Sequence, residues 1–141
     1  MTLIEIVVLG FIVLETLNVV TLYFFPGSRY ANAIGVFTAW EKSKEHPEIH
    51  AFVKYLVYWV AGTKLIFLLL LVMIILYADN TTQRMSVVAL IIATVTFYWR
   101  LFPLMRTMDK NGQITPQNYS LTLGVMIFVF ISVFTIAVFI S

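Results

Sequence analysis

Four stretches of this 141-residue chain are apolar for long enough to cross a bilayer, which leaves it few ways to fold. A hydrocarbon core of about 30 Å takes roughly 20 helical residues. The stretches run from about Leu3 to Phe25, Ala51 to Ala78, Met85 to Leu104 and Tyr119 to Ile140. The chain is 61% hydrophobic and 11% charged, whereas soluble domains carry about 25% charged residues. A soluble fold of this length has too little interior for so much apolar surface, so lipid must cover part of it. The second and third, and the third and fourth, stretches are joined by short connections, so consecutive helices should be antiparallel neighbours. The expected fold is an all-α, integral membrane, four-helix up-down bundle, a single domain over residues 1–141. Pro26-Gly27-Ser28 and Asp79-Asn80 read as helix stops, and Thr115-Pro116 as an N-cap and first helical residue.

Charge places the ends. The segment between the first two spans carries Arg29, Lys42 and Lys44, with Lys54 at its edge; the one between the last two carries Arg106 and Lys110, with Arg100 nearby. On the opposite side the basic residue is Arg84. By the positive-inside rule both termini lie outside and the first and third loops lie in the cytoplasm; Glu41, Glu45 and Glu48 dilute the first loop but count little. The net charge of +2 comes from these helix-end residues, not from a basic stripe that would bind nucleic acid. There is no Cys, which excludes disulfides, thiolate metal sites and a Cys nucleophile. The start has Glu5 where a signal peptide has basic residues, so the first span reads as a retained helix. In the first loop Tyr30, Ile34, Phe37 and Trp40 recur at helical spacing, the pattern of a short amphipathic helix between the first two spans. It would either order the loop beneath the bundle or dock a partner or lipid.

Glu15 and Lys64 break the apolar pattern in mid-span. A charge at the bilayer centre costs at least a few kcal/mol, so it is paired, neutralised or used. At 1.5 Å per residue Glu15 lies about 17 Å, and Lys64 about 20 Å, from the outer ends of their helices. A Glu15–Lys64 ion pair accounts for both, and Asn18, three residues beyond Glu15, can join it. Tyr55, Trp59 and Gly62 are expected on the opposite face of the second span from Lys64. In the third span Ser86, Ala89, Ala93, Thr96 and Arg100 form a stripe of small or polar residues, the pattern of a tightly packed interface, which would turn Arg100 inward. Pro103 leaves the Trp99 carbonyl without a helical donor, so a kink or early end is expected there. Together these residues outline a polar site at Glu15, Asn18, Lys64, Thr96 and Arg100, lining a cavity open to the cytoplasm. Such a site would take a proton, an ion or a small anion. The same residues would equally serve as a charge-paired latch fixing helix register, or meet a partner subunit.

Other signals are weaker. His46 and His50 flank Pro47-Glu48-Ile49 at a helix start and lack the ligand count of a zinc site. Asp109-Lys110-Asn111-Gly112 reads as a turn, too poor in acids for calcium. Tyr23, Tyr30, Tyr55, Tyr77 and Tyr119 sit near span ends, as interfacial residues do. No catalytic constellation, metal site or cofactor motif is found, and the cofactor, if any, stays open.

Phe11 to Phe24, FIVLETLNVVTLYF, resembles the first helix of small multidrug resistance transporters, which also carry one mid-span glutamate; the likeness covers about one tenth of the chain. It implies proton-coupled exchange at Glu15, but this chain adds Lys64, Arg100 and a long first loop. The layout of four helices, a long first loop and a basic end to the third span is similar to the membrane-associated glutathione and eicosanoid enzymes. There the implied role of Arg100 is to bind a glutathione carboxylate, but the Arg-, His- and Asn-rich start of helix two is replaced by Glu45 to Lys54. Neither likeness identifies a family. The expected functions are thus a small transporter, channel or ion-handling subunit; a non-transporting accessory or scaffold subunit; or a membrane enzyme for a lipophilic substrate. The expected partners are the lipid bilayer and, because four helices enclose little volume, further copies of the chain or a larger membrane complex.

Overall fold

The computed structural model describes residues 1–141 and is helical nearly throughout. Helix α1 spans Leu3–Phe24, a short α2 spans Thr38–Ser43, α3 spans Pro47–Tyr77, α4 spans Asn80–Val95, α5 spans Leu101–Lys110 and α6 spans Tyr119–Ile140. Two 3-10 turns, Ile34–Val36 and Thr96–Tyr98, precede α2 and separate α4 from α5. Four segments are long and apolar enough to cross a membrane, with α4 and α5 together making the third. The protein is a multi-pass integral membrane protein built as a four-helix bundle.

Local chemistry sets the helix ends. Thr2 and Glu5 form a capping box, Thr2 N donating to the Glu5 carboxylate at 2.8 Å and Glu5 N to the Thr2 hydroxyl at 3.2 Å. Pro47 opens α3, where its missing N–H is not needed. The Asp79 side chain accepts from Thr82 N at 2.9 Å and caps α4. Gln83, buried, donates to the Ile75 and Ala78 carbonyls that α3 leaves unpaired at its end. α6 begins later than the Thr115-Pro116 cap expected from sequence: its cap is Asn118, at φ +66°.

The tightest pair is α1 with α3, packed antiparallel. On α1 the facing residues are Ile4, Val8, Phe11, Glu15, Asn18 and Leu22; on α3 they are Val57, Ala61, Lys64, Leu68 and Leu71. Both rows step by alternating threes and fours, the seam of a left-handed helix pair. All four spanning segments converge on the core at one end, where Ile4 and Val8 meet Leu71, Val87, Leu90, Phe134 and Ala137. Phe11 adds edge-on contacts to Phe67, Phe130 and Phe134, at 5.3 to 6.2 Å between centroids. The termini and the start of α4 share this end: Thr2, Asn80, Arg84 and Ser141 line one small polar cleft.

At the other end the first and third loops close the bundle together. Thr38 N donates to the Gln113 carbonyl at 3.0 Å and Thr115 N to the Val36 carbonyl at 2.8 Å, a single antiparallel bridge. Ala33 packs beneath α1 and α3 with Leu22, Val57 and Ala61, while Val36 packs beneath α5 with Met105 and Ile114. A helix lies between the first two spans as expected, but the stripe Tyr30, Ile34, Phe37, Trp40 is not one helix. Tyr30 is exposed and Trp40 is buried over Gly27, where a Cβ would stand 2.4 Å from the indole nitrogen. The Ile34 and Gly35 amides are bonded by the Pro26 and Ser28 carbonyls, so the loop folds back on itself before α2 starts.

The third span breaks near Pro103, as its sequence predicts. α4 ends at Val95, Arg100 takes φ −121° and ψ −45°, and Pro103 sits in the first turn of α5, where no N–H is required. The break lets α5 lean on α6: Phe102 covers Gly124, where a Cβ would lie 2.7 Å from the ring. The Tyr98 hydroxyl donates to the Gly124 carbonyl at 2.5 Å.

Candidate functional site

Glu15 and Asn18 come from the middle of α1 and Lys64 from the middle of α3, each on the row that carries apolar residues above and below. Antiparallel packing brings them to one level. Lys64 Nζ donates to Glu15 Oε2 at 2.6 Å and to Asn18 Oδ1 at 2.7 Å. The Asn18 Nδ2 donates in turn to the Ala31 carbonyl, so the amide that helps hold the lysine also holds the first loop. Asn18 is 4% exposed, whereas the Lys64 and Glu15 side chains keep 34% and 21% of their surface. This layer sits between the aromatic layer at Phe11 and the apolar layer at Leu22, Val57 and Ala61. No buried side-chain nitrogen or oxygen in the protein lacks a partner.

The other two candidate residues lie elsewhere. The Thr96 hydroxyl is exposed and bonds its own helix at the Ala93 carbonyl, 2.6 Å away. Arg100 is exposed, with its guanidinium 5.3 Å from the Trp99 ring centre. Neither bonds to Glu15, Asn18 or Lys64. The stripe that carries them turns outward: α4 buries Gln83, Val87 and Leu90, while Ala89 and Ala93 line an open apolar groove of about 340 Å³ against Phe67, Leu70 and Ile74 of α3. Packing on the larger apolar side chains removes more surface from the helix interface, and it decides the rotation of α4. The space beneath the pair, expected to open towards the loops, is filled by Leu22, Ala33, Val57 and Ala61 with their neighbours Ile34 and Val53.

On α3, Gly62 approaches the Tyr23 hydroxyl, with 3.2 Å between that oxygen and the place of a Cβ, and Tyr23 stacks on Tyr58 at 6.0 Å. Trp59 does not stand apart from the lysine: with Leu56, Val60, Thr63 and Lys64 it lines a shallow groove of about 510 Å³ on the bundle's outer side. Of the two histidines, His46 caps α3 by its backbone. His50 packs at a tilt against Trp40, with 4.7 Å between ring centroids, and its Nδ1 lies 2.8 Å from the Ser43 hydroxyl. That hydroxyl gives its one proton to the Trp40 carbonyl, so Nδ1 is the donor.

A second polar cluster gathers around Asp109, which lies in the last turn of α5 and not in the turn expected from the sequence at Asp109-Lys110-Asn111-Gly112. Asp109, 3% exposed, accepts from Asn118 N at 2.9 Å, Ser120 N at 3.0 Å and the Ser120 hydroxyl at 2.6 Å. One carboxylate on α5 thus caps α6 from outside. Arg106 stands 3.9 Å from it and reaches the Asn118 and Ser120 side chains at 3.4 Å. The signal available in sequence was an acid nine residues ahead of Asn118, a spacing that many chains show without consequence.

Comparison with protein-family models, with curated proteins and with solved structures finds no match to this chain.

Proposed function

We propose that this protein is a non-transporting accessory or scaffold subunit of a membrane assembly, in which Glu15, Asn18 and Lys64 act as a latch. The observation that carries this reading is the chain of hydrogen bonds that runs from Glu15 through Lys64 and Asn18 to the first loop. The lysine is held by both α1 residues, and Asn18 is spent on the loop backbone. An ion-transit site needs groups that release their partners to a passing ligand. Here each bond fixes either the register of α1 on α3 or the seat of the first loop. In lipid, apolar surface alone does little to align two helices, so one polar layer supplies what an apolar seam lacks. The small outward stripe of α4 and the outer face of α3 are the surfaces we assign to neighbouring subunits. We orient the basic, loop-closed end towards the cytoplasm and both termini outside.

A second reading, proton or ion handling at Glu15, is favoured by the residual exposure of Glu15 and Lys64 to the bundle's side. A double-mutant cycle in lipid bilayers separates the two. Glu15→Gln and Lys64→Met, singly, should each cost about 3 kcal/mol, because each strands a partner in the membrane. The double variant should recover most of that loss and keep assembly with native partners. A double variant that folds but loses proton or ion flux measured in proteoliposomes sinks the latch and supports the second reading.

A further inference from the structure

Where α5 ends and α6 begins, Arg106, Asp109, Lys110, Gln117 and Asn118 line an open pocket of about 260 Å³ with no hydrophobic residue in its wall. We infer that this pocket binds the phosphate of an anionic lipid headgroup. Its free charged groups are donors, and Gln117 adds an amide that can donate as well. The Arg106 guanidinium makes its bonds through Nη1, all at 3.4 Å or longer, and leaves Nε and Nη2 without a partner. That free edge is the planar fork that grips phosphate oxygens in pairs. Lys110 is exposed and forms no ion pair. Asn118 points its Oδ1 at Arg106, so its Nδ2 is left to donate. The one acid in the wall does not oppose an anion as a free carboxylate would. Asp109 Oδ1 is taken by Asn118 N, and Oδ2 by the Ser120 amide and hydroxyl.

Depth selects a lipid as the source of the phosphate. α6 has 22 residues, so it is about 33 Å long and just spans a hydrocarbon core of about 30 Å. Its first residue, Tyr119, therefore stands at the headgroup layer, and the pocket lies beside it. This is also the end that gathers Arg29, Lys42, Lys44, Arg100, Arg106 and Lys110, where the first and third loops pair. Basic pockets between helices at that level suit anionic headgroups.

The test is native mass spectrometry of the full-length protein in neutral detergent, titrated with phosphatidylglycerol or phosphatidylcholine of identical acyl chains. Phosphatidylglycerol should bind about tenfold tighter or better. Arg106→Gln and Lys110→Gln should each weaken it roughly fivefold and leave phosphatidylcholine unchanged. Lys42→Gln, at the same end but outside the pocket, should change neither. Lys110→Gln alters an exposed side chain, so it keeps the test open if Arg106→Gln disturbs the α5–α6 contact. Equal binding of the two lipids overturns the proposal, as does a loss with Lys42→Gln matching that with Lys110→Gln. Inorganic phosphate that displaces phosphatidylglycerol at equal concentration reassigns the pocket to a soluble anion and overturns the lipid source.

Discussion

The two polar clusters tie helices together by opposite means. At Glu15, Asn18 and Lys64 two full charges meet in mid-membrane, partly exposed at the side of the bundle, and the bond runs between helices far apart in sequence. At Asp109 a single buried carboxylate sits at the membrane edge and completes the start of a helix nearby in sequence. The first cluster replaces apolar contacts in a seam, so its worth lies in register. The second fills hydrogen bonds that a helix terminus always owes, so its worth lies in local order. A membrane protein can place an acid in either role, and only its partners tell which.

The contrast is sharpest when one member of each cluster is removed. The largest effect belongs to the single substitutions at Glu15 and Lys64 described above, about 3 kcal/mol each. Asp109→Ala should follow, at about 2 kcal/mol, because Asn118 N and Ser120 N lose their acceptor together. It differs in kind: no second substitution at Arg106 should rescue it, and hydrogen exchange should quicken at the first turn of α6. If Arg106→Met restores stability to Asp109→Ala, the carboxylate acts as an ion-pair partner and the capping account fails. Asn18→Leu should cost about 1 kcal/mol. Its clearer sign should be faster tryptic cleavage at Arg29, since the Ala31 carbonyl is released; unchanged cleavage would detach the first loop from the polar layer.

The smallest effect concerns the opposite end. Asp79 accepts from the Thr82 side chain and amide, and these bonds hold its carboxyl below the usual aspartate range. A lowered folded value means that its contribution to stability is full above the ordinary aspartate range and is lost as pH falls through the folded value. Thr82→Val should reduce that acid dependence slightly, and thermal melts across pH 2 to 6 in the same lipid, referred to about 4 as the ordinary value, would show it. Identical profiles for both proteins would remove the side-chain bond from the account.

The spans and the polar layer were legible in the sequence for one reason. Water-to-lipid transfer penalises every polar residue in a long apolar run, so Glu15 and Lys64 stand out, and counting residues from the helix ends puts them at one depth. The same reasoning misplaced Arg100 and Thr96. A stripe of small residues marks a face that can pack closely, but α4 has a competing apolar face at Val87 and Leu90, and its pairing with α6 and α1 chose that one. Asp109 reads in the sequence as part of a turn, and its capping role does not show, because a cap supplied by another helix leaves no local pattern. The first loop looked like one amphipathic helix because its apolar residues recur at helical spacing, yet Ala33 and Val36 are drawn to different halves of the bundle.

By itself the sequence determined a four-span helical membrane protein with one charged layer, because burying or spanning apolar length and pairing mid-membrane charge allow little else. The tertiary structure alone decided which faces of those helices meet, how the first and third loops seal one end, and that Arg106 and Lys110 surround a pocket there. Helix rotation and loop pairing turn on small differences between competing contacts, and a linear pattern does not rank them.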